Sequence, residues 1–143
     1  MQPKPARVLI VAGSDSGGGA GIQADIKTVT LLGGHAMTAI AALTAQNSRG
    51  VQAVHAVPLE MVLAQIESVV ADFGVDAVKI GMIGAAATAA AVAERLARLP
   101  GVPIVFDPVM VATSGSALAD AETIRAFERF FPGAALVTPN LPE

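Results

Sequence analysis

The sequence predicts an α/β fold in which a mainly parallel sheet carries helices on both faces. Short apolar runs alternate with longer segments of helical period, which is the pattern of βαβ units. The apolar fraction is 53% and the mean hydropathy is +0.61, as expected for strands that are buried on both sides. No apolar run reaches the roughly 18–20 residues that a membrane-spanning helix needs.

The first elements in chain order are a strand, a glycine-rich turn and a helix. Residues 7–12 form an apolar run typical of a buried strand. A helix over about residues 20–32 follows, because apolar side chains recur at helical spacing and Gly33-Gly34 is a typical C-terminal stop. Residues 36–44 are then predicted to form a second buried strand, which leads into Gln46-Asn47.

A short third strand is predicted over residues 51–57, ahead of the most regular helical pattern in the chain. Pro58 suits the first position of a helix, and apolar residues keep a helical period over 59–73. Residues 76–80 are predicted to form a fourth strand, which ends at Gly81-Met82.

The remaining elements continue the alternation of helices and strands. A helix is predicted over about residues 86–99 and a strand over 102–106. Phenylalanines at helical spacing predict another helix around residues 124–131, and residues 135–138 form a last strand. No internal repeat or linker divides the chain, so one domain, or part of one, is expected.

Composition argues against several classes of function. The net charge is −3, charges of both signs are interspersed, and Trp and Tyr are absent, so nucleic-acid binding is not expected. The absence of Cys removes disulfides, Cys-based zinc sites and thiol nucleophiles. The N-terminal apolar run is too short for a signal peptide, so a cytoplasmic location without membrane contact is expected.

The segment from Gly13 to Gly21 contains five glycines in nine residues. Glycine permits positive φ and lets the backbone approach a ligand closely, so such a loop before a helix suits a small polar molecule. A phosphate-binding P-loop is excluded, because Ile22-Gln23 stands where Lys and Ser or Thr are needed. A dinucleotide fingerprint is formally present, but no acidic residue lies between Ile26 and Leu59 to hold a ribose. A tight turn without a ligand is the remaining alternative.

Polar residues gather where predicted strands end, which is where open α/β sheets bind ligands. Asp107 leaves a buried strand directly before Pro108 and suits Mg²⁺ or phosphate chemistry, although an Asp-Pro turn is the structural alternative. Asp25 lies on the first helix and is a candidate to hold a ligand hydroxyl or amine, or else a partly solvated helix residue. The other polar strand ends are Gln46-Asn47, and Asn140 with Glu143.

Five segments cover essentially the whole chain in a specific order and spacing. They are AGSDSGGGAGIQADIKT (12–28), ALTAQNSRGV (42–51), VKIGMIG (78–84), FDPVMVATSG (106–115) and VTPNLPE (137–143). With them, the chain closely resembles the hydroxymethylpyrimidine/phosphomethylpyrimidine kinases of thiamine biosynthesis, which belong to the ribokinase-like superfamily.

The resemblance implies a kinase that phosphorylates the hydroxymethyl group of 4-amino-5-hydroxymethyl-2-methylpyrimidine and then the resulting monophosphate, with Mg²⁺ and ATP. Asp107 is the implied catalytic residue, and Asp25 and Gln46 are the implied partners of the aminopyrimidine edge. The implied substrate-binding residues are Gly13, Asp25, Gln46, Met82 and Val109. The implied metal-side residues are Asp107, Asn140 and Glu143. The resemblance also suggests a homodimer.

Two departures from the family pattern accompany the resemblance. Some relatives carry Lys where this chain has Thr113. The family's glycine-rich anion hole, with the group thought to deprotonate the accepting hydroxyl, lies well downstream of the last segment. The 143 residues are therefore expected to form the N-terminal portion of a single, truncated ribokinase-like domain with little kinase activity of its own. A pyridoxal or pyridoxine kinase and a non-catalytic pyrimidine-binding fragment are the alternatives.

Overall fold

A computed structural model describes residues 4–112, 114–141 and 143, so Thr113 and Pro142 lie outside the described residues. The strands are β1 (Arg7–Ser14), β2 (His35–Asn47), β3 (Gly50–Ala56), β4 (Ala77–Ile80), β5 (Ile104–Phe106) and β6 (Ala134–Val137). The helices are α1 (Gly21–Leu31), α2 (Leu59–Asp72), α3 (Ala86–Leu96) and α4 (Ala121–Phe127). Within the described ranges, no helix has the length and apolar character needed to cross a membrane.

The strands form one sheet in the order β3-β2-β1-β4-β5-β6. Neighbouring strands are parallel, except that β2 and β3 form an antiparallel hairpin. The predicted mainly parallel sheet is therefore confirmed. Because β1, β2, β4 and β5 run in the same direction, their carboxyl ends meet at one edge of the sheet.

Side-chain alternation along β1 divides the core between the two faces of the sheet. Leu9 and Val11 are fully buried in the larger cluster, which α2, α3 and α4 cover. Ile10 and Ala12 point to the opposite face, where Ile22 of α1 closes a smaller cluster. Full burial of one such aliphatic side chain stabilises the fold by about 1.5–3 kcal/mol. Helices thus cover both faces, as the alternating pattern predicted.

The last helix is shorter than the phenylalanine spacing predicted. α4 ends at Phe127, and residues 131–133 form a 3₁₀ turn instead. Pro132 lacks an amide hydrogen and disfavours helical geometry at the residue before it, so the helix cannot continue through Phe131. Phe127 and Phe130 nevertheless both pack on Phe106, with ring centroids 5.4 and 4.9 Å away.

Candidate active site

A cleft of about 630 Å³ opens at the carboxyl ends of the parallel strands, between the glycine loop and the segment after β5. This volume is in the range of small-molecule sites, which span about 300–1,000 Å³. The cleft brings together most of the site residues predicted from the sequence: Gly13, Asp25, Gln46, Met82, Asp107, Val109 and Asn140. Glu143 does not line the cleft.

The apolar floor of the cleft is built from Gly13, at the end of β1, and Met82, after β4. A Cβ at Gly13 would lie 2.5 Å from Met82 Cε, so glycine is what allows the methionine to lie across the strand end. Met82 is only 9% exposed. The pair forms a surface suited to the face of a planar ring.

A lysine with no predicted role lies at the centre of the charged side of the cleft. Lys79 Nζ is 2.9 Å from Asp25 Oδ2 and 3.9 Å from Asp107 Oδ2. Gly81 makes room for this ammonium group, because a Cβ there would lie 2.9 Å from Lys79 Nζ. Three separate elements, α1, β4 and the end of β5, therefore contribute to one charged cluster.

Asp25 lines the cleft and pairs with Lys79 through one of its two carboxylate oxygens. Lys79 Nζ donates to Asp25 Oδ2, and among the described residues Asp25 Oδ1 accepts no hydrogen bond. The Asp25 side chain is 20% exposed, so this oxygen lies in a partly desolvated position. It can accept a hydrogen bond from an amine or hydroxyl of a bound molecule.

Burial raises the pKa of the Asp107 carboxyl above its ordinary value, because desolvation disfavours the charged form. The positive charge of Lys79 opposes this rise, whereas the negative charges of Glu143 and Asp25 add to it. A cation beside Asp107 therefore favours its charged form. A carboxylate in this position is suited to a divalent cation, which prefers oxygen ligands.

Gln46 lies inside β2, which extends to Asn47 and so beyond the predicted end at residue 44. Its backbone is clamped by Ser16 of the glycine loop: Gln46 N donates to Ser16 Oγ at 2.8 Å, and Ser16 Oγ donates to Gln46 O at 2.8 Å. The clamp fixes the strand end, and the Gln46 carboxamide at the cleft presents both donors and an acceptor.

Glu143 joins two backbone segments next to the cleft. Its Oε1 accepts from Met110 N at 2.9 Å, and its Oε2 accepts from Asn140 N at 3.0 Å. Over residues 4–112, 114–141 and 143, no cluster of three or more His, Cys, Asp or Glu side chains is arranged to hold a metal. Of the three residues predicted on the metal side, Asp107 and Asn140 line the cleft, and metal binding by all three stays a prediction.

The mainly parallel sheet with helices on both faces is the fold of ribokinase-like proteins, as two solved structures show. Phosphomethylpyrimidine kinase from Clostridium difficile 630 superposes with a TM-score of 0.89 and 41% sequence identity, covering 96% of this chain and 60% of that one. Pyridoxal kinase from Staphylococcus aureus in complex with pyridoxal has a TM-score of 0.84 and 30% identity, covering 97% and 52%.

The family model of phosphomethylpyrimidine kinase matches residues 15–143, and the chain belongs to this family. The hydroxymethylpyrimidine/phosphomethylpyrimidine kinase of Mycobacterium leprae is 50% identical over 141 residues, which cover 97% of this chain and 50% of the relative. The chain therefore spans about half the length of such curated relatives.

Proposed function

We propose that the protein phosphorylates 4-amino-5-hydroxymethyl-2-methylpyrimidine and then its monophosphate, with ATP as the phosphoryl donor. The observation that carries this proposal is the single cleft that gathers Asp25, Gln46, Met82 and Asp107 at one sheet edge. It has an apolar floor on one side and a lysine-bridged pair of carboxylates on the other. Small-molecule sites have this character, mainly apolar with a few well-placed polar groups.

The chemistry of the aminopyrimidine matches the polar groups of the cleft. The ring offers an exocyclic amine as a donor and ring nitrogens as acceptors. The Gln46 carboxamide can donate and accept, and Asp25 Oδ1 can accept from the amine or the hydroxymethyl group. Met82 and Gly13 would cover the face of the ring, with Val109 beside it.

A magnesium ion fits the oxygen donors at the far side of the cleft. Asp107 and Asn140 would hold it, with phosphate oxygens and water completing the six ligands that Mg²⁺ prefers. When bound, the ion supplies charge neutralisation for phosphoryl transfer. Asp107 would face the transferring group, while Glu143 holds the backbone of Met110 and Asn140 in place.

Pyridoxal is the second candidate substrate, because the structure of the S. aureus pyridoxal kinase with pyridoxal superposes well on this fold. Pyridoxal has no exocyclic amine to donate to Asp25 Oδ1. Its ring hydroxyl and hydroxymethyl groups can donate to this oxygen instead, so the polar contacts do not decide between the two substrates. The pyrimidine is the preferred candidate because the phosphomethylpyrimidine kinase of C. difficile is 41% identical to this chain and the pyridoxal kinase is 30% identical.

The test compares the two substrates by ADP release from Mg-ATP and by calorimetric binding to the 143-residue chain. Because the chain spans half of its relatives, turnover is also measured on a protein with the family's full length. Pyrimidine-dependent ADP release supports the proposal, and release with pyridoxal alone supports the second candidate. Pyrimidine binding without ADP release in either protein indicates a binding module. If neither compound binds, the proposed function is wrong.

A further inference from the structure

Asp15 is a buried carboxylate that the proposed reaction does not use. It directly follows β1 and lies within the glycine loop, and it is only 6% exposed. Buried carboxylates are costly unless they are paired or hydrogen-bonded. The partners of Asp15 therefore indicate what it does.

Four successive amide groups of the glycine loop all donate to Asp15. Gly17 N donates to Oδ1 at 2.7 Å, and Gly18 N donates to the backbone carbonyl of Asp15 at 3.0 Å. Gly19 N and Ala20 N donate to Oδ2 at 2.9 and 2.8 Å. Successive amides that converge on one group are how backbone loops bind anions. Here the anion is a side chain of the loop itself.

Two further features hold this arrangement in one geometry. Gln23 of α1 fixes the other side of the residue, since its Oε1 accepts from Asp15 N at 2.7 Å and its Nε2 donates to Ser14 Oγ at 2.7 Å. Gly21 has a φ of +56°, and a Cβ there would lie 2.4 Å from Gly13 O, so only glycine lets the loop close onto β1.

We infer that Asp15 is an internal anion that fills the anion-binding position of the glycine loop and thereby positions the loop as a wall of the cleft. The amides of residues 17–20 are consequently not available to a phosphate group of ATP or of a phosphorylated substrate. Asp15 is a positioning residue: through Gly19 and Ala20 it sets the start of α1, the helix that carries Asp25.

Chemical rescue separates this role from a merely structural one. In an Asp15→Ala variant of the 143-residue chain, the amides of Gly17, Gly19 and Ala20 lose their acceptor, and a small space remains where the carboxylate lay. Formate carries the same carboxylate group and fits such a space. Asp15→Asn is the matched control, because its side chain still fills the position but turns an NH₂ group toward amide donors.

The first measurement is the thermal unfolding of the unliganded proteins in sodium formate and in sodium chloride of equal ionic strength. We expect formate to raise the Tm of Asp15→Ala in a saturable way, while wild type and Asp15→Asn show no formate-specific rise. If Asp15→Ala is not folded in chloride, the fraction of folded protein after refolding is measured instead. We expect that fraction to increase with formate concentration. An equal formate effect on all three proteins, or none on Asp15→Ala, overturns the inference.

The second measurement is pyrimidine affinity, and this arm rests on the proposed function. We expect the Kd of Asp15→Ala to rise at least about tenfold, a change of about 1.4 kcal/mol, and formate to restore most of the loss. Asp15→Asn should lose affinity without recovery. If wild type itself does not bind the pyrimidine, the proposed function fails, while the thermal measurement still decides the role of Asp15.

Discussion

The ammonium group of Lys79 lies 2.9 Å from Asp25 Oδ2 and joins the middle of the sheet to α1. The same nitrogen is 3.9 Å from Asp107 Oδ2, so one cation lies between two carboxylates from different elements. The three side chains are 20–30% exposed, which limits the screening that makes most surface ion pairs weak. Lys79 therefore lets two acidic groups share one cleft and fixes the orientation of Asp25.

Replacing Lys79 by methionine should weaken pyrimidine binding. The change keeps an unbranched, flexible side chain but leaves Asp25 without its partner, and the two carboxylates then repel each other. We expect the Kd from calorimetry to rise about tenfold, or 1.4 kcal/mol, with a smaller effect for Lys79→Arg, which keeps the charge. Lys4→Met, at an exposed position, is the control and should bind as wild type does. Unchanged affinity in Lys79→Met would show that the ion pair does not shape the pocket.

Gly81→Ala tests the same contact without removing the charge. The new Cβ would fall 2.9 Å from Lys79 Nζ and 3.0 Å from the Cβ of Ala12, so the ammonium group must move away from Asp25. Pyrimidine affinity should fall in the single variant by less than in Lys79→Met. In the Lys79→Met background the added substitution should cost less further affinity than it does in wild type, because only the contact with the Cβ of Ala12 remains. Fully additive losses in this double-mutant cycle would mean that Gly81 acts on binding by another route.

Asp25→Ala and Asp107→Ala should separate binding from turnover. In the proposed function Asp25 contacts the pyrimidine, so its loss should raise KM and Kd with a smaller change in kcat. In the same proposal Asp107 contacts the metal and phosphate groups, so its loss should lower kcat by about 10²–10³-fold, the usual effect of removing one electrostatic group from a transition state. Steady-state kinetics on a turnover-competent protein, together with calorimetry, give both values. The site assignment is wrong if both variants turn over like wild type.

The strand-end residues could be predicted from the sequence because parallel strands share one edge. Asp107 follows one apolar run and Gln46 lies at the end of another, so the strand pattern alone predicts that they lie near each other. Both line the cleft. The pairing of Lys79 with Asp25 could not be predicted from the sequence alone. It depends on the space left by the missing Cβ of Gly81 and on where α1 packs. The available signal was a lysine between Val78 and Ile80 in a buried strand, which requires an acidic partner.

Two other differences between expectation and structure have different origins. Pro132 was visible in the sequence and should have ended the last helix before Phe131. The role of Asp15 was not visible in the same way. Asp-Ser-Gly is an ordinary turn sequence, and the convergence of the amides depends on backbone angles such as the φ of +77° at Gly18.

An ion pair lies at the amino ends of β1 and β4, at the end of the sheet away from the cleft, and its contribution to stability should depend on pH. Arg7 begins β1, and its Nε and a terminal nitrogen donate to the Asp76 carboxylate, just before β4, at 2.8 and 2.7 Å. The Arg7 backbone amide donates to the same carboxylate at 2.8 Å. Hydrogen bonds from the Arg7 side chain, and then from its backbone, hold the pKa of Asp76 well below its ordinary value.

The sign follows from this depressed pKa. An Asp that ionises more easily in the folded than in the unfolded protein stabilises the fold above the unfolded-state pKa, about 3.9, and this contribution is lost as the pH falls below it. Asp76→Asn should therefore lower the Tm at pH 7, and its difference from wild type should shrink as the pH falls from 4 toward 2. Because the pair is exposed, we expect a small effect. Asp72→Asn, an exposed carboxylate nearby, is the control and should show no such convergence. A difference that stays constant down to pH 2, or that is absent at pH 7, would contradict the stabilising role of this pair.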